Sequence, residues 1–332
     1  MSITGLSPIK RHLLIIIINW ISFSVQANPL SLPNLPIDSL NISGIVTIAD
    51  QMALVTDEGA SLVLLQQNAG RWQILNTLAL ANSNVELDLE ALAYQAPYLY
   101  ALGSHSAKRK KVNADKTQKQ NLQRLAQTYP EEARRQLFRI RLNAEGAAEK
   151  VESISLQKLL AEQPIIAPFI GIPSKENGID IEALSSDNKQ RLLVGFRAPV
   201  LRGNYIPVLR LKPEKDGAFA VQKHKWLWLD LDGRGIRGMS QITDAKISGQ
   251  LLLAGAVGDQ PLAYAVYFWD ESDQLAGSDR PANGLRKLCD LPTSEGKPEG
   301  IQFSRFIDKQ VEFLIVQDGL INGDLRQHRC SF

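Results

Sequence analysis

Two acidic pairs, Asp88-x-Glu90 and Asp180-x-Glu182, and a further acid at Glu299 are the residues whose spacing points to chemistry. Each Glu stands directly before a small residue, Ala91, Ala183 or Gly300, and Arg237 takes the same place before Gly238. Carboxylates arriving from several segments can hold a hard cation such as calcium, which takes oxygen ligands from many directions. Asp88, Glu90, Asp180, Glu182 and Glu299 are the candidates for that set. A second set can grip a small anion, because arginine forks suit phosphate and carboxylate groups. It comprises Arg109, Arg197, Arg202 and Arg237, with Ser104 and His105 beside them and Glu90, Glu182 and Glu299 interleaved. A third reading spends each arginine on a neighbouring acid in a buried ion-pair network that binds nothing. The acidic pairs also suit general acid–base work on a substrate entering between them.

Other chemistries lack their residues. Ser104 and Ser106 flank His105, but adjacent strand residues point to opposite faces and no third group completes a triad. There is no G-x-S-x-G turn, H-E-x-x-H, zinc-like cysteine spacing or phosphate-binding loop. His12, His105, His224 and His328 are the four histidines, too few and too scattered for a histidine-rich metal site.

The elements that must position these residues are short strands. Runs of four to eight residues rich in Val, Ile, Leu and Tyr are separated by Gly, Asp, Asn or Pro turns. Five runs begin alike, at Ser43, Leu89, Ile181, Ile236 and Pro298, and each carries a small residue near its start: Gly44, Ala91, Ala183, Gly238 or Gly300. Second, third and fourth strands follow in four of the units, whereas the fifth lacks a clear fourth strand. Repetition at roughly 45–60 residues predicts an all-β protein, a β-propeller of five four-stranded blades, with the small residue on the innermost strand. The segment from Leu30 to Leu40 is expected to supply the missing outer strand and protect the last edge. A two-sheet sandwich would explain the short strands but not the repeated start. Residues 107–136 break the pattern. Leu122, Leu125, Ala126 and Tyr129 fall at helical spacing and Pro130 suits a second helix start, so this is read as a helical insertion in the second blade. A further short helix is expected over Ser155–Gln163.

The stretches LDLEALAY, ALGSHSAKRK, IDIEALS, LLVGFRAPVLRGN, LDLDGRGIRGMSQ, LLLAGAVGD and KPEGIQF resemble the family catalogued as domain of unknown function 3616, from about Ser43 to Gly319. More distantly, the recurring Glu-Gly/Ala-Leu signature is similar to phytase-like esterase propellers. That likeness implies calcium-assisted hydrolysis of a phosphoester or ester as an alternative to simple binding. The first unit departs from the signature, with Ser43 before its glycine, and the fourth carries Arg237, so a symmetric ring of carboxylates is not expected.

In an up-and-down blade the first strand starts where the second ends, so both sets of ends share one mouth of the axial channel. That mouth is the expected site, rimmed by His105 and Arg202, and its ligand is a small anion or another exported protein. Lys10 and Arg11 precede an apolar run that ends at Val25-Gln26-Ala27, the pattern of a secretory signal peptide over residues 1–27. The mature chain, 28–332, is then one domain, a periplasmic or secreted monomer with no further membrane segment. The whole chain carries +2; without Lys10 and Arg11 it is neutral, which argues against nucleic acid as a partner. Cys289 and Cys330 are the two cysteines, read either as one disulfide or as two buried thiols.

Overall fold

The computed structural model describes residues 28–143, 145–258, 260–279, 281–293 and 295–332. The expected signal segment, residues 1–27, lies outside the described residues, as does Asp259, an acid after the second strand of the fourth unit that is expected at the same mouth. Strand β1 is Asn28–Pro29. Blade 1 is β2 (Ile42–Ile48), β3 (Gln51–Thr56), β4 (Ser61–Asn68) and β5 (Arg71–Ala79). Blade 2 starts with β6 (Leu89–Gln95) and β7 (Tyr98–Gly103). It is interrupted by β8 (Ala107–Lys108), helix α1 (Gln118–Ala126) and β9 (Tyr129–Pro130), then completed by β10 (Leu137–Leu142) and β11 (Ala148–Ile154). Helix α2 (Gln157–Glu162) leads to blade 3, with β12 (Asp180–Ser186), β13 (Leu192–Ala198), β14 (Tyr205–Pro213) and β15 (Val221–Asp230). Blade 4 is β16 (Gly235–Thr243), β17 (Ser248–Gly255), β18 (Ala265–Trp269) and β19 (Leu285–Asp290). Blade 5 is β20 (Lys297–Ile307), β21 (Gln310–Asp318), β22 (Arg326–Ser331) and, returning from the start of the chain, β1.

Each blade is an antiparallel sheet, and the five form a closed ring. The inner strands β2, β6, β12, β16 and β20 touch one another in turn, with β20 against β2. Burial falls from axis to rim. Every residue of β12 is buried, whereas β11 is exposed or half-buried throughout. Inner strands are therefore buried on both faces, while outer strands bury one at most. Close approach at the axis explains the small residues. A Cβ on Gly44 would lie 3.0 Å from the Cα of Ala91 in the next blade, and one on Gly238 would lie 2.8 Å from the backbone oxygen of Glu299.

Closure follows the expected plan, but with a shorter strand placed just before the expected segment. Asn28 and Pro29 pair with Gln327 and Arg326, and the Leu30 amide donates to the Leu325 carbonyl at 2.8 Å. Beyond Leu30 the ladder stops. Pro33 and Pro36 have no N–H to donate, and Leu30, Leu32, Leu35 and Ile37 instead pack as side chains on the core of Ile42, Leu54, Val316 and Leu325. Cys289 of β19 and Cys330 of β22 are disulfide-bonded, with Cα atoms 5.9 Å apart, so the bond ties blade 4 to blade 5.

The interruption of blade 2 holds one α-helix. Thr117 caps it, accepting from the Gln120 amide while the Gln120 side chain accepts from the Thr117 amide. None of its residues is buried, and Leu122 is 61% exposed. The helix start read at Pro130 is corrected. Tyr129–Pro130 pairs with Ala107–Lys108, which fixes it as strand, and only a single 3-10 turn follows at Glu132–Arg134. Among the described residues no helix is long and apolar enough to cross a membrane.

Gly238→Ala tests the axial crowding. The added methyl group must displace the Glu299 backbone, and a loss of about 1–3 kcal/mol is expected in urea unfolding.

Candidate functional site

The same local irregularity recurs in every blade. Near its start each inner strand carries one residue with no partner across the ladder, so two residues oppose one and the strand bulges. The residues skipped there are Ser43, Glu90, Glu182, Arg237 and Glu299; β20 has a second such residue, Ser304, further along. A bulge re-aims a side chain that regular alternation would send elsewhere. Here it turns five side chains toward the axis, and the small residue that follows each one lets the neighbouring inner strand approach. A second bulge, in β13, leaves Arg197 unpaired in the ladder beside Asp180.

Four of these residues, Glu90, Glu182, Arg237 and Glu299, line a cavity of about 230 Å³ at the mouth. Asp57, Asp88, Asp180, Arg197 and Asp318 join them from first-strand starts and second-strand ends. Two residues further along each inner strand come Ile45, Leu92, Leu184, Met239 and Ile301. They surround a waist with only about 10 Å³ of space, so the mouth is a blind pocket. A separate cavity of about 140 Å³ on the far side is lined by Thr47, Tyr94, Ser186, Gln241 and Gln302, among others, and carries no charged side chain.

Arginines hold most of the mouth's carboxylates. Arg237, 3% exposed, reaches Glu182 at 2.7 Å and bonds to Glu299. Arg197 reaches Glu182 at 2.6 Å and also pairs with Asp180. Arg134 donates to Asp88 at 2.9 Å and pairs with Glu86. Lys297 donates to Asp318 at 2.9 Å. Burial opposes the charge on Arg237, yet Glu182 and Glu299 hold its pKa well above the ordinary arginine value. The Nε atoms of Arg134, Arg197 and Arg237 are buried without a hydrogen-bond acceptor.

Glu90 differs from the other acids. It is 9% exposed, and among the described residues no hydrogen bond or ion pair reaches its carboxyl group. Burial, then the charges of Asp88, Glu182, Glu299 and Asp180, push its pKa well above the usual carboxylate range. Asp57 is raised to about 7 by burial and then by Asp88 and Asp318, and its Oδ1 has no partner. Asp88 reaches the cavity from a left-handed backbone, φ +51°, a conformation Asp tolerates better than most residues.

Of the residues singled out from sequence for a ligand, Glu90, Glu182, Arg197, Arg237 and Glu299 share the cavity, and Ser104, His105, Arg109 and Arg202 do not line it. Ser104 is fully buried behind the wall, bonded to Asp88 and to Ser106 Oγ at 2.8 Å. His105 does not rim the opening. Its Nδ1 donates to the Gly103 carbonyl at 2.9 Å and its Nε2 accepts from the Leu156 amide at 3.1 Å. Burial lowers its pKa to about 4, so it is a neutral structural group. Arg109 is spent on Glu176, at 2.6 Å, and on the Leu125 carbonyl in the insertion. Arg202 is exposed in a turn.

The five acids proposed for calcium, Asp88, Glu90, Asp180, Glu182 and Glu299, do line one cavity, but guanidinium groups stand between them. Among the described residues no group of three or more acids, histidines or cysteines is arranged to hold a metal ion. Asp88, Asp180, Glu182 and Glu299 each pair with a guanidinium group, and Glu90 alone of the five is left without a basic partner among the described residues, too few oxygen ligands for calcium. Sequence reading missed Arg134, Lys175, Tyr264 and Lys297 in the lining. Arg134 lay in a run read as helix start. Nothing local in the sequence marks the other three.

The family profile described as "Protein of unknown function (DUF3616)" matches residues 41–329, and the chain belongs to that family. No curated protein matches the sequence. Among solved structures, the chain is similar to glutaminyl cyclase from Myxococcus xanthus, with 12% identity over 92% of this chain and 96% of that one and a TM-score of 0.47. It is also similar to YCF48 bound to D1 peptide, with 12% identity, 88% and 65% coverage and a TM-score of 0.40. An exo-1,5-alpha-L-arabinanase from a bovine ruminal metagenomic library gives 12% identity, 89% and 95% coverage and a TM-score of 0.42.

Two outcomes follow from the electrostatics. Arg237→Ala leaves Glu299 buried without its partner and Glu182 with Arg197 alone, and about 3–5 kcal/mol of stability should be lost in urea. A carboxyl whose pKa is raised on folding stabilises the fold below its unfolded value, and that contribution is lost as pH rises through its folded value. For Asp57 the window runs from 3.8 to about 7. Wild-type stability should therefore fall across that window and, through Glu90, beyond the ordinary carboxylate range. Asp57→Asn and Glu90→Gln should each flatten the fall, measured as urea midpoints from acid to mildly alkaline pH.

Proposed function

We propose that this propeller is an exported binding protein that takes a small polar molecule into the blind axial mouth. The observation that carries this reading is Glu90, a buried carboxyl aimed into the cavity with no protein partner, where nearly every other buried charge is paired. An acid serving only to fix blade order would be spent on an arginine, as Glu182 and Glu299 are. The cavity, about 230 Å³, suits a compound smaller than the drug-sized ligands that fill typical pockets. Its wall is polar, so recognition would come from hydrogen bonds and charge rather than from apolar burial. The disulfide between Cys289 and Cys330 supports export, since such bonds persist in oxidising compartments.

The small anion expected from the arginines has less support. Arg134, Arg197 and Arg237 each lie against two carboxylates, so an anion would have to compete with them.

Gly258 lies on the cavity wall and its Cβ position meets nothing closer than 3.5 Å, so Gly258→Trp can fill the mouth without disturbing the ring. In a thermal-shift screen of amino acids, amines, polyols, carboxylates and phosphates, at least one class should raise the wild-type Tm with saturating dose dependence and leave Gly258→Trp unmoved. A wild-type protein that responds to none, or a variant that responds equally, would overturn the reading.

A further inference from the structure

We infer that the axial mouth receives the ammonium group of a primary amine, with the Glu90 carboxylate as its partner. This rests on the reading of the mouth as a binding site and names the chemistry of what enters it.

The first argument is the charge of the wall. Arg134 is shared by Glu86 and Asp88, Arg197 by Asp180 and Glu182, and Arg237 by Glu182 and Glu299. On the cavity wall six acids besides Glu90 face five bases, Lys175 and Lys297 included, so acids are in excess before Glu90 is counted. Lys297 at the rim is offset by Asp318. An anion would meet this excess with the arginine edges already engaged, and a neutral polyol would leave it uncompensated. A cation beside Glu90 relieves it.

The second argument is the geometry of Glu90. Its bulge turns the side chain into the cavity, and no basic side chain among the described residues pairs with it, although Arg134, Arg197 and Arg237 all serve nearby acids. Asp57, with which no basic side chain among the described residues pairs, is a second acid on the same wall. An ammonium group brings three donors, enough for Glu90 with others to spare for a neighbouring acid. A quaternary ammonium has no N–H donor and is recognised by aromatic faces, of which Tyr264 is the one on this wall.

Proton linkage follows. Burial, then the charges of Asp88, Glu182, Glu299 and Asp180, press Glu90 toward its neutral form against the pull of Arg134, Arg197 and Arg237. Seating an ammonium group there favours the carboxylate, so binding should release a proton. Affinity should rise with pH until the amine itself deprotonates, near pH 10 for an alkylamine by analogy with lysine.

The probes are 1,4-diaminobutane, tetramethylammonium, inorganic phosphate and glycerol, each titrated by calorimetry at matched ionic strength into wild type, Glu90→Gln and Gly258→Trp. Glu90→Gln removes a charge that holds no protein partner, so it should fold. The expected result is saturable binding of 1,4-diaminobutane to wild type, weakened about tenfold or more in Glu90→Gln and lost in Gly258→Trp. Heats in two buffers of different ionisation enthalpy should show proton release in wild type and none in Glu90→Gln. If phosphate, glycerol or tetramethylammonium binds in a Gly258-sensitive way and the diamine does not, the amine assignment is overturned while the mouth remains a binding site. Diamine binding that is undiminished in Glu90→Gln overturns it as well. If no probe binds wild type, or binding survives Gly258→Trp, the amine assignment fails together with its premise.

Discussion

Arg237 is a guanidinium group buried at the axis of a ring of sheets, and it is held there by Glu182 from one neighbouring blade and Glu299 from the other. A charge removed from water at that depth has to be paired, and its partners must arrive from separate blades at one point. This constraint fixes how blades 3, 4 and 5 meet. Arg197 extends the same network to Asp180, and Ser43 plays an uncharged version of the part, its hydroxyl donating to the Leu89 carbonyl of the next blade. Charge at the axis thus does the work that apolar packing does further out.

The bulge makes the arrangement possible. A regular inner strand is buried on both faces by neighbouring blades and offers no direction for a charged side chain except into apolar core. One extra residue per strand gives each blade a side chain directed at the channel, and the small residue after it keeps the neighbouring backbones close. Below, Ile45, Leu92, Leu184, Met239 and Ile301 close the waist. The charged layer and its apolar floor are successive turns of the same strand alternation, so the pocket is a consequence of how the propeller closes. Glu90 is the position where that repeat leaves a charge unclaimed.

Much of this was legible in the sequence. The small residue at the start of each inner strand reported axial crowding directly, and the residue before it was already marked as the one to watch. The bulges were not legible, because an unpaired residue shows only when register is known. Ser43 looked like a departure from the pattern for that reason, although it occupies the equivalent place. His105 misled because a histidine between two serines suggests chemistry, whereas both its nitrogens are taken by backbone groups that join β7 to the segment before α2. Arg134 went unnoticed because it returns to the mouth only after the insertion, some thirty residues beyond β7. The closing strand ends before Pro33 and Pro36, whose missing N–H groups cannot extend the ladder.

The central claim is that the residues skipped by the ladder form one coupled electrostatic unit across blades. A double-mutant cycle between Arg237→Met and Glu299→Gln, read from urea unfolding, tests it most directly. A coupling energy of about 1.5 kcal/mol or more is the expected result. Single-variant losses that add to within about 0.5 kcal/mol would contradict it, because two side chains that do not meet at the axis behave independently.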